Sequence, residues 1–180
     1  VFTGSLFEVK EGILNVVSVD GFRLALRKAL ITEASENFSA IVPGKYLNEI
    51  VKNLQETDEL VKIGTAKNQA LFELPNCKVV TRLLEGEFLN YNNVIPKEKE
   101  TRIKVNKSNL QSAIERASIF SITAAEKEKK YPIKMYVTLG SLIISCTSQI
   151  GDAKEEVIVE TSGKELEIGF NPKYMLDALK

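Results

Sequence analysis

The sequence predicts an α+β protein built from duplicated units, each an antiparallel sheet with helices packed on one face. Three observations carry this. Short segments alternate apolar and polar residues with period two, separated by tight-turn signals. Helix-period segments are few and follow groups of strands. The motif heading one helix, Val42-Pro43-Gly44-Lys45-Tyr46-Leu47, returns as Asn171-Pro172-Lys173-Tyr174-Met175-Leu176, with the two Lys-Tyr pairs 128 residues apart. That spacing is far beyond a solenoid repeat of roughly 20–50 residues and suits a duplicated domain.

The elements follow in order. Ser5–Lys10 and Ile13–Val19 read as strands around a Glu11-Gly12 turn. A third strand, Phe22–Arg27, follows Asp20-Gly21, where glycine tolerates the positive φ that tight turns demand. Alternation along it would put Phe22 and Leu24 on one side and Arg23 on the other. Ile31–Asn37 is polar and loop-like, Phe38–Val42 is a strand, and Pro43-Gly44 ends it. Lys45–Gln55 carries Leu47, Ile50, Val51 and Leu54 at i, i+3, i+4 and i+7, one apolar face of a helix, with Lys45, Asn48, Glu49 and Lys52 opposite. Leu60–Gly64, Ala70–Leu74 and Lys78–Leu83 are further strands, joined at Asn68-Gln69 and Pro75-Asn76.

Glu85–Tyr91 is irregular, and the charge run in Asn92–Glu100 reads as a linker, dividing the chain into units 1–97 and 98–180. The second unit opens with a strand, Thr101–Val105, and a helix, Lys107–Phe120, with Leu110, Ala113, Ile114 and Ala117 on one face. Ala124–Lys130 reads as a charged loop. Strands return at Ile133–Thr138, Leu142–Thr147, Glu156–Glu160 and Glu165–Gly169, before a helical pattern at Pro172–Lys180. If the two units are copies, the first lacks the opening strand and helix that the second shows as Thr101–Phe120. The second lacks the closing strands that the first shows as Leu60–Leu83. The expectation is a piece of a longer protein.

Composition bounds the chemistry. Twenty-four basic and 24 acidic side chains cancel, which argues against a protein that grips nucleic acid over its whole surface but leaves room for a locally basic face. With no histidine there is no imidazole base and no usual zinc site. No phosphate-binding glycine loop is present. Asp20 with Arg23 is the nearest approach to a carboxylate enzyme, but an Asp before Gly is a turn residue and no second catalytic group accompanies it. No cofactor and no catalysis are expected. No stretch reaches the roughly 20 apolar residues of a membrane helix, and Cys77 and Cys146 read as buried free thiols of a cytoplasmic protein.

Several motifs then carry a family resemblance. Val19-Asp20-Gly21-Phe22-Arg23-Leu24-Ala25 resembles the Thr-Asp-Gly-aromatic-or-His-Arg-Leu-Ala signature of bacterial sliding clamps, the β subunits of replicative DNA polymerase holoenzymes. Ile41-Val42-Pro43-x-Lys45 and Leu84-Glu85-Gly86-x-Phe88-x-x-Tyr91-x-x-Val94-Ile95-Pro96 resemble that family's second domain, and Glu167-Ile168-Gly169-Phe170-Asn171-x-x-Tyr174 its third. The resemblance implies the DNA clamp fold: a ring of six similar domains from two chains, helices lining the hole and sheets outside. It implies a processivity factor that encircles duplex DNA, slides without sequence specificity, and docks polymerases and the clamp loader through short hydrophobic peptides.

The matching docking residues are Gly21, Phe22, Arg23, Leu24, Leu89 and Val94, with Asn171 and Tyr174 on the third-domain side. On residue type alone, Leu24 and Val94 belong to a core. Lys45 becomes the candidate to meet the phosphate backbone, on a helix face that the residues alone assign to solvent. Val19, Phe22, Phe2 and Leu89 depart from the family's usual threonine, histidine or tyrosine, leucine and proline, which bears on peptide preference. The composition also permits a β-rich protein-interaction module with no DNA role.

Overall fold

The computed structural model describes residues 3–31, 36–121, 132–149 and 151–180. The expected loop Ala124–Lys130 lies outside them, as do Phe2, Ile150 and residues 32–35 of the polar stretch after the third strand. The chain divides into two compact units, Val1–Ile95 and Pro96–Lys180.

The first unit opens with β1 (Gly4–Lys10), β2 (Ile13–Val19), β3 (Leu24–Leu30) and β4 (Phe38–Pro43), an antiparallel sheet of order β3-β2-β1-β4. Helix α1 (Gly44–Asn53) follows directly, then a three-stranded sheet of β5 (Lys62–Ala66), β6 (Gln69–Glu73) and β7 (Lys78–Arg82). The second unit contains β8 (Thr101–Lys104), α2 (Lys107–Ser118), β9 (Ile133–Thr138), β10 (Ser141–Ser148), β11 (Gly151–Ile158), β12 (Glu160–Gly163), β13 (Leu166–Phe170) and α3 (Pro172–Ala178). Its main sheet has the order β11-β10-β9-β13, and β12 pairs with β8. Asn106 caps α2, its Oδ1 accepting from the backbone N–H of Ser108 at 3.0 Å and of Asn109 at 3.2 Å.

The repeat is borne out in register as well as order. A shift of 128 residues carries Lys10↔Ile13 onto Thr138↔Ser141, Val19↔Leu24 onto Thr147↔Asp152, and Val9↔Phe38 onto Val137↔Leu166. All three ladders of one main sheet therefore superpose on those of the other without a slip.

The two sheets differ in what covers them. On the helix side of the first, Phe7 meets Ile50 of α1 and Phe72 of β6, the two rings edge-to-face at 5.7 Å. On the same side of the second, Met135, Leu142 and Ile144 pack under Leu110, Ala113, Ile114 and Ala117 of α2. Leu142 and Ile144 are fully buried, whereas their counterparts Leu14 and Val16 are half-buried, because the described residues of the first unit include no counterpart of α2. On the opposite face the order reverses. Leu6, Val17 and Ile41 form a second core with Tyr91 and the segment from Leu84 to Ile95, whereas the counterpart positions are Lys134, Ser145 and Gly169.

Several expected elements shift. The third strand begins at Leu24 rather than Phe22, since Phe22 and Arg23 belong to the preceding turn. The expected Glu156–Glu160 strand is the end of β11, which starts at Gly151, followed by β12. Its first half hides from pattern reading because Glu155 takes a helix-facing place, held by Arg116 of α2 at 2.7 Å. Leu60 lies outside β5, and α1 and α3 end at Asn53 and Ala178, short of Gln55 and Lys180. Both cysteines are free as expected, although Cys77 is only half-buried.

Candidate docking surface

The predicted first-unit residues gather at one end of the β2–β3 hairpin and under the segment after β7. The hairpin end is shaped by one carboxylate. Asp20 Oδ1 accepts from the backbone N–H groups of Phe22 and Arg23, both at 3.2 Å, and Oδ2 accepts from Arg23 Nε at 2.7 Å. The Asp20 N–H donates to the Arg23 carbonyl at 3.3 Å, closing the turn, and Gly21 supplies its φ of 88°. The Arg23 guanidinium, followed by the two backbone N–H groups, holds the Asp20 carboxyl below its ordinary value. Phe22 stands 83% exposed. Its expected sharing of a face with Leu24 does not occur, because it lies in the turn and Leu24 begins the strand.

Leu24 pairs with Val19 and packs half-buried against the core of Leu6, Val17, Ile41 and Tyr91. Leu89, on the segment after β7, packs against the same cluster. Val94 does not: it is 55% exposed, its N–H donating to the Tyr91 carbonyl at 3.1 Å. The structure thus packs Leu24 and Leu89 against one core, corrects Val94 from core to surface, and keeps Gly21, Phe22 and Arg23 on one loop. Asn171 and Tyr174 belong to the second unit, where Asn171 caps α3 through its Oδ1, accepting from the Lys173 N–H at 3.0 Å. Tyr174 is half-buried on that helix. Lys45 is exposed in the first turn of α1, on an element that packs against the opposite side of the first sheet.

Sequence reasoning missed what fastens the segment after β7 to the first sheet. The Tyr91 hydroxyl donates to Glu8 Oε2 at 2.8 Å, and Lys10 Nζ sits 2.7 Å from Glu8 Oε1. Glu8 and Tyr91 are only 9% and 6% exposed. Burial works to raise the Glu8 carboxyl, but hydrogen bonds from Lys10 and Tyr91 and the charge of Lys10 outweigh it and leave it lowered. Burial, then the Glu8 carboxylate, raises the Tyr91 phenol. The available signal was a glutamate at an inward strand position, a place that calls for a partner. A cleft of about 630 Å³ opens along this segment, lined by Glu8, Lys10, Lys67, Glu85 and Tyr91 among others; Leu89 is the one predicted docking residue that reaches it. Among the described residues no cluster of acidic, cysteine or histidine side chains could hold a metal, and no helix is long and apolar enough to cross a membrane.

Residues 1–90 match the family model described as DNA polymerase III beta subunit, central domain, and residues 92–180 match the C-terminal domain of the same subunit. The chain belongs to the bacterial DNA polymerase III beta sliding-clamp family. Among curated sliding clamps it is 37% identical over 187 residues to that of Halalkalibacterium halodurans, covering all of this chain and 48% of the relative. The sliding clamp of Staphylococcus epidermidis is 36% identical over 182 residues, covering all of this chain and 47% of the relative. Among solved structures, the DNA polymerase sliding clamp of Bacillus subtilis aligns with a TM-score of 0.90 at 34% identity, over 99% of this chain and 47% of that one. A DNA polymerase III beta subunit from Eubacterium rectale aligns with a TM-score of 0.90 at 36% identity, over 98% of this chain and 47% of that one. The chain spans about half the length of the curated sliding clamps it matches.

Proposed function

We propose that this chain is the central and C-terminal part of a DNA replication processivity clamp. Its first unit would be the central domain without its opening strand and helix, and its second the C-terminal domain without its closing strands. The observation that carries the reading is the 128-residue repeat, conserved in strand order and ladder register between two units that match consecutive domains of one family. Closed rings are built by repeating similar units around an axis.

In the whole protein, two chains would close a ring around duplex DNA. The exposed side of α1 carries Lys45, Asn48, Glu49 and Lys52, with Lys52 Nζ held 2.7 Å from Glu49. So balanced a face suits few, sequence-independent phosphate contacts, with Lys45 the cation available for one. Retention would come from topology, with no catalytic step, no cofactor and a cytoplasmic setting. Polymerases and the clamp loader would dock through short hydrophobic peptides on Gly21, Phe22, Arg23, Leu24, Leu89 and Val94, with Asn171 and Tyr174 contributing from the second unit. Leu24 and Leu89 supply the apolar floor, and the turn supplies an aromatic and a guanidinium at its rim.

The test of the ring is topological. The full-length protein, assembled on a nicked circular plasmid, is expected to stay bound at salt concentrations that strip direct phosphate contacts, and to be lost once the plasmid is cut to a line. Equal retention on circle and line would refute encirclement.

A further inference from the structure

We infer that Asp20 is a positioning residue for peptide docking, setting Arg23 and Phe22 in the geometry that a bound peptide meets. The inference rests on the docking reading above. The repeat supplies the comparison. In the second unit the counterparts of Asp20 and Arg23, Ser148 and Gly151, pair in the ladder, and the Ser148 hydroxyl donates to the Gly151 carbonyl at 3.2 Å. Here the residue in the place of Arg23 is a glycine, with no side chain to aim.

The first unit keeps the register and changes the closure. Its ladder stops at Val19↔Leu24, and the Asp20 carboxylate takes up both the Phe22 and Arg23 N–H groups and the Arg23 side chain. A carboxylate with two oxygens does two different jobs here. Oδ1 fixes the backbone of the turn, and Oδ2 fixes the direction of the guanidinium. Arg23 and Asp20 are each a little over 40% exposed along their side chains, so the pair contributes little to holding the sheet together. Its effect falls instead on the rotamer freedom of a long side chain and on a largely exposed aromatic beside it. Order imposed before binding is order that the peptide need not impose, and it appears as affinity.

The experiment uses the full-length protein and a fluorescein-labelled hexapeptide ending in Leu-Phe, read by fluorescence anisotropy, with a thermal melt of every variant. Asp20→Ala is expected to weaken binding about tenfold while the protein still melts as a folded chain, lowered only by the loss of the two turn N–H bonds. Asp20→Asn retains an acceptor for the turn and should lose only part of that. In an Arg23→Ala background, Asp20→Asn should cost nothing more, because its effect passes through the guanidinium. Binding by Asp20→Ala equal to wild type overturns the inference while leaving the docking reading standing. Additive losses in the double variant also overturn it, since Asp20 would then act independently of Arg23. No binding by the wild-type protein removes the docking reading, and this inference with it.

Discussion

Replacing Tyr91 by phenylalanine isolates what fastens the segment from Leu84 to Ile95 to the first sheet. The ring stays among Leu6, Val17 and Ile41, so the apolar contacts are retained while the 2.8 Å hydrogen bond to the Glu8 carboxylate is lost, along with the lesser one to the Asn92 side chain. Hydrogen bonds to charged groups contribute about 1.5–3 kcal/mol, the more so where both partners are buried. Lys10 still pairs with Glu8 at 2.7 Å, so the carboxylate is not orphaned and the low end applies, about 1.5 kcal/mol. The effect is local, and a local probe reads it best. The Val94 and Ile95 N–H groups both donate to the Tyr91 carbonyl, at 3.1 and 3.3 Å. Their hydrogen exchange should therefore speed up about tenfold in Tyr91→Phe, since about 1.4 kcal/mol is a factor of ten. In a Glu8→Gln background the same substitution should do markedly less. Exchange at the wild-type rate, or an undiminished effect beside Glu8→Gln, would refute the assignment of Glu8 and Tyr91 as the fastening pair.

Three further outcomes follow from the same structure. Glu8 titrates below its ordinary value of 4.5 when folded, so its contribution is complete above that pH and is lost as pH falls through the folded value; the stability gap between wild type and Glu8→Gln should close on acidification below about 4.5. Val94→Glu falls on an exposed position, so the melting curve should shift by no more than about 0.5 kcal/mol, whereas affinity for a hydrophobic peptide should fall at least tenfold. Ile114→Ala empties a fully buried site between α2 and the second main sheet and should cost about 2–5 kcal/mol in a urea titration of the second unit.

The sequence made the sheets legible wherever alternation was carried by aliphatic residues, as in β1, β2 and β10, and made the helices legible through spacing. It concealed β11, where Glu155 occupies a helix-facing position that only Arg116, 39 residues away in sequence, makes tolerable. It overstated the buried stripe of α1: Val51 lies in the helical pattern yet is 64% exposed. Periodicity reports which side chains share a face, not whether a neighbour covers it. At the candidate docking surface, motif spacing named Leu24 and Leu89, and the fold packs both against the core of Leu6, Val17, Ile41 and Tyr91. Residue type alone misassigned Val94, because a valine one step past a 3-10 turn has no strand to orient it inward. Asp20 looked like a turn residue and is one; its second oxygen on Arg23 could not be inferred from an Asp-Gly pair.

The unbroken 128-residue frame has a consequence for how the two units can diverge. A one-residue insertion in any ladder would turn every following side chain to the opposite face, so changes of length are barred from the hairpins, and novelty must enter by substitution on a fixed backbone. The unit with an open outer face can keep lysine, serine and glycine where the other has leucine, valine and isoleucine. The unit that captures its own connecting segment has turned the same lattice of positions into a second interior. Paired positions of the two main sheets consequently have counterparts whose place in the ladder matches and whose neighbours differ.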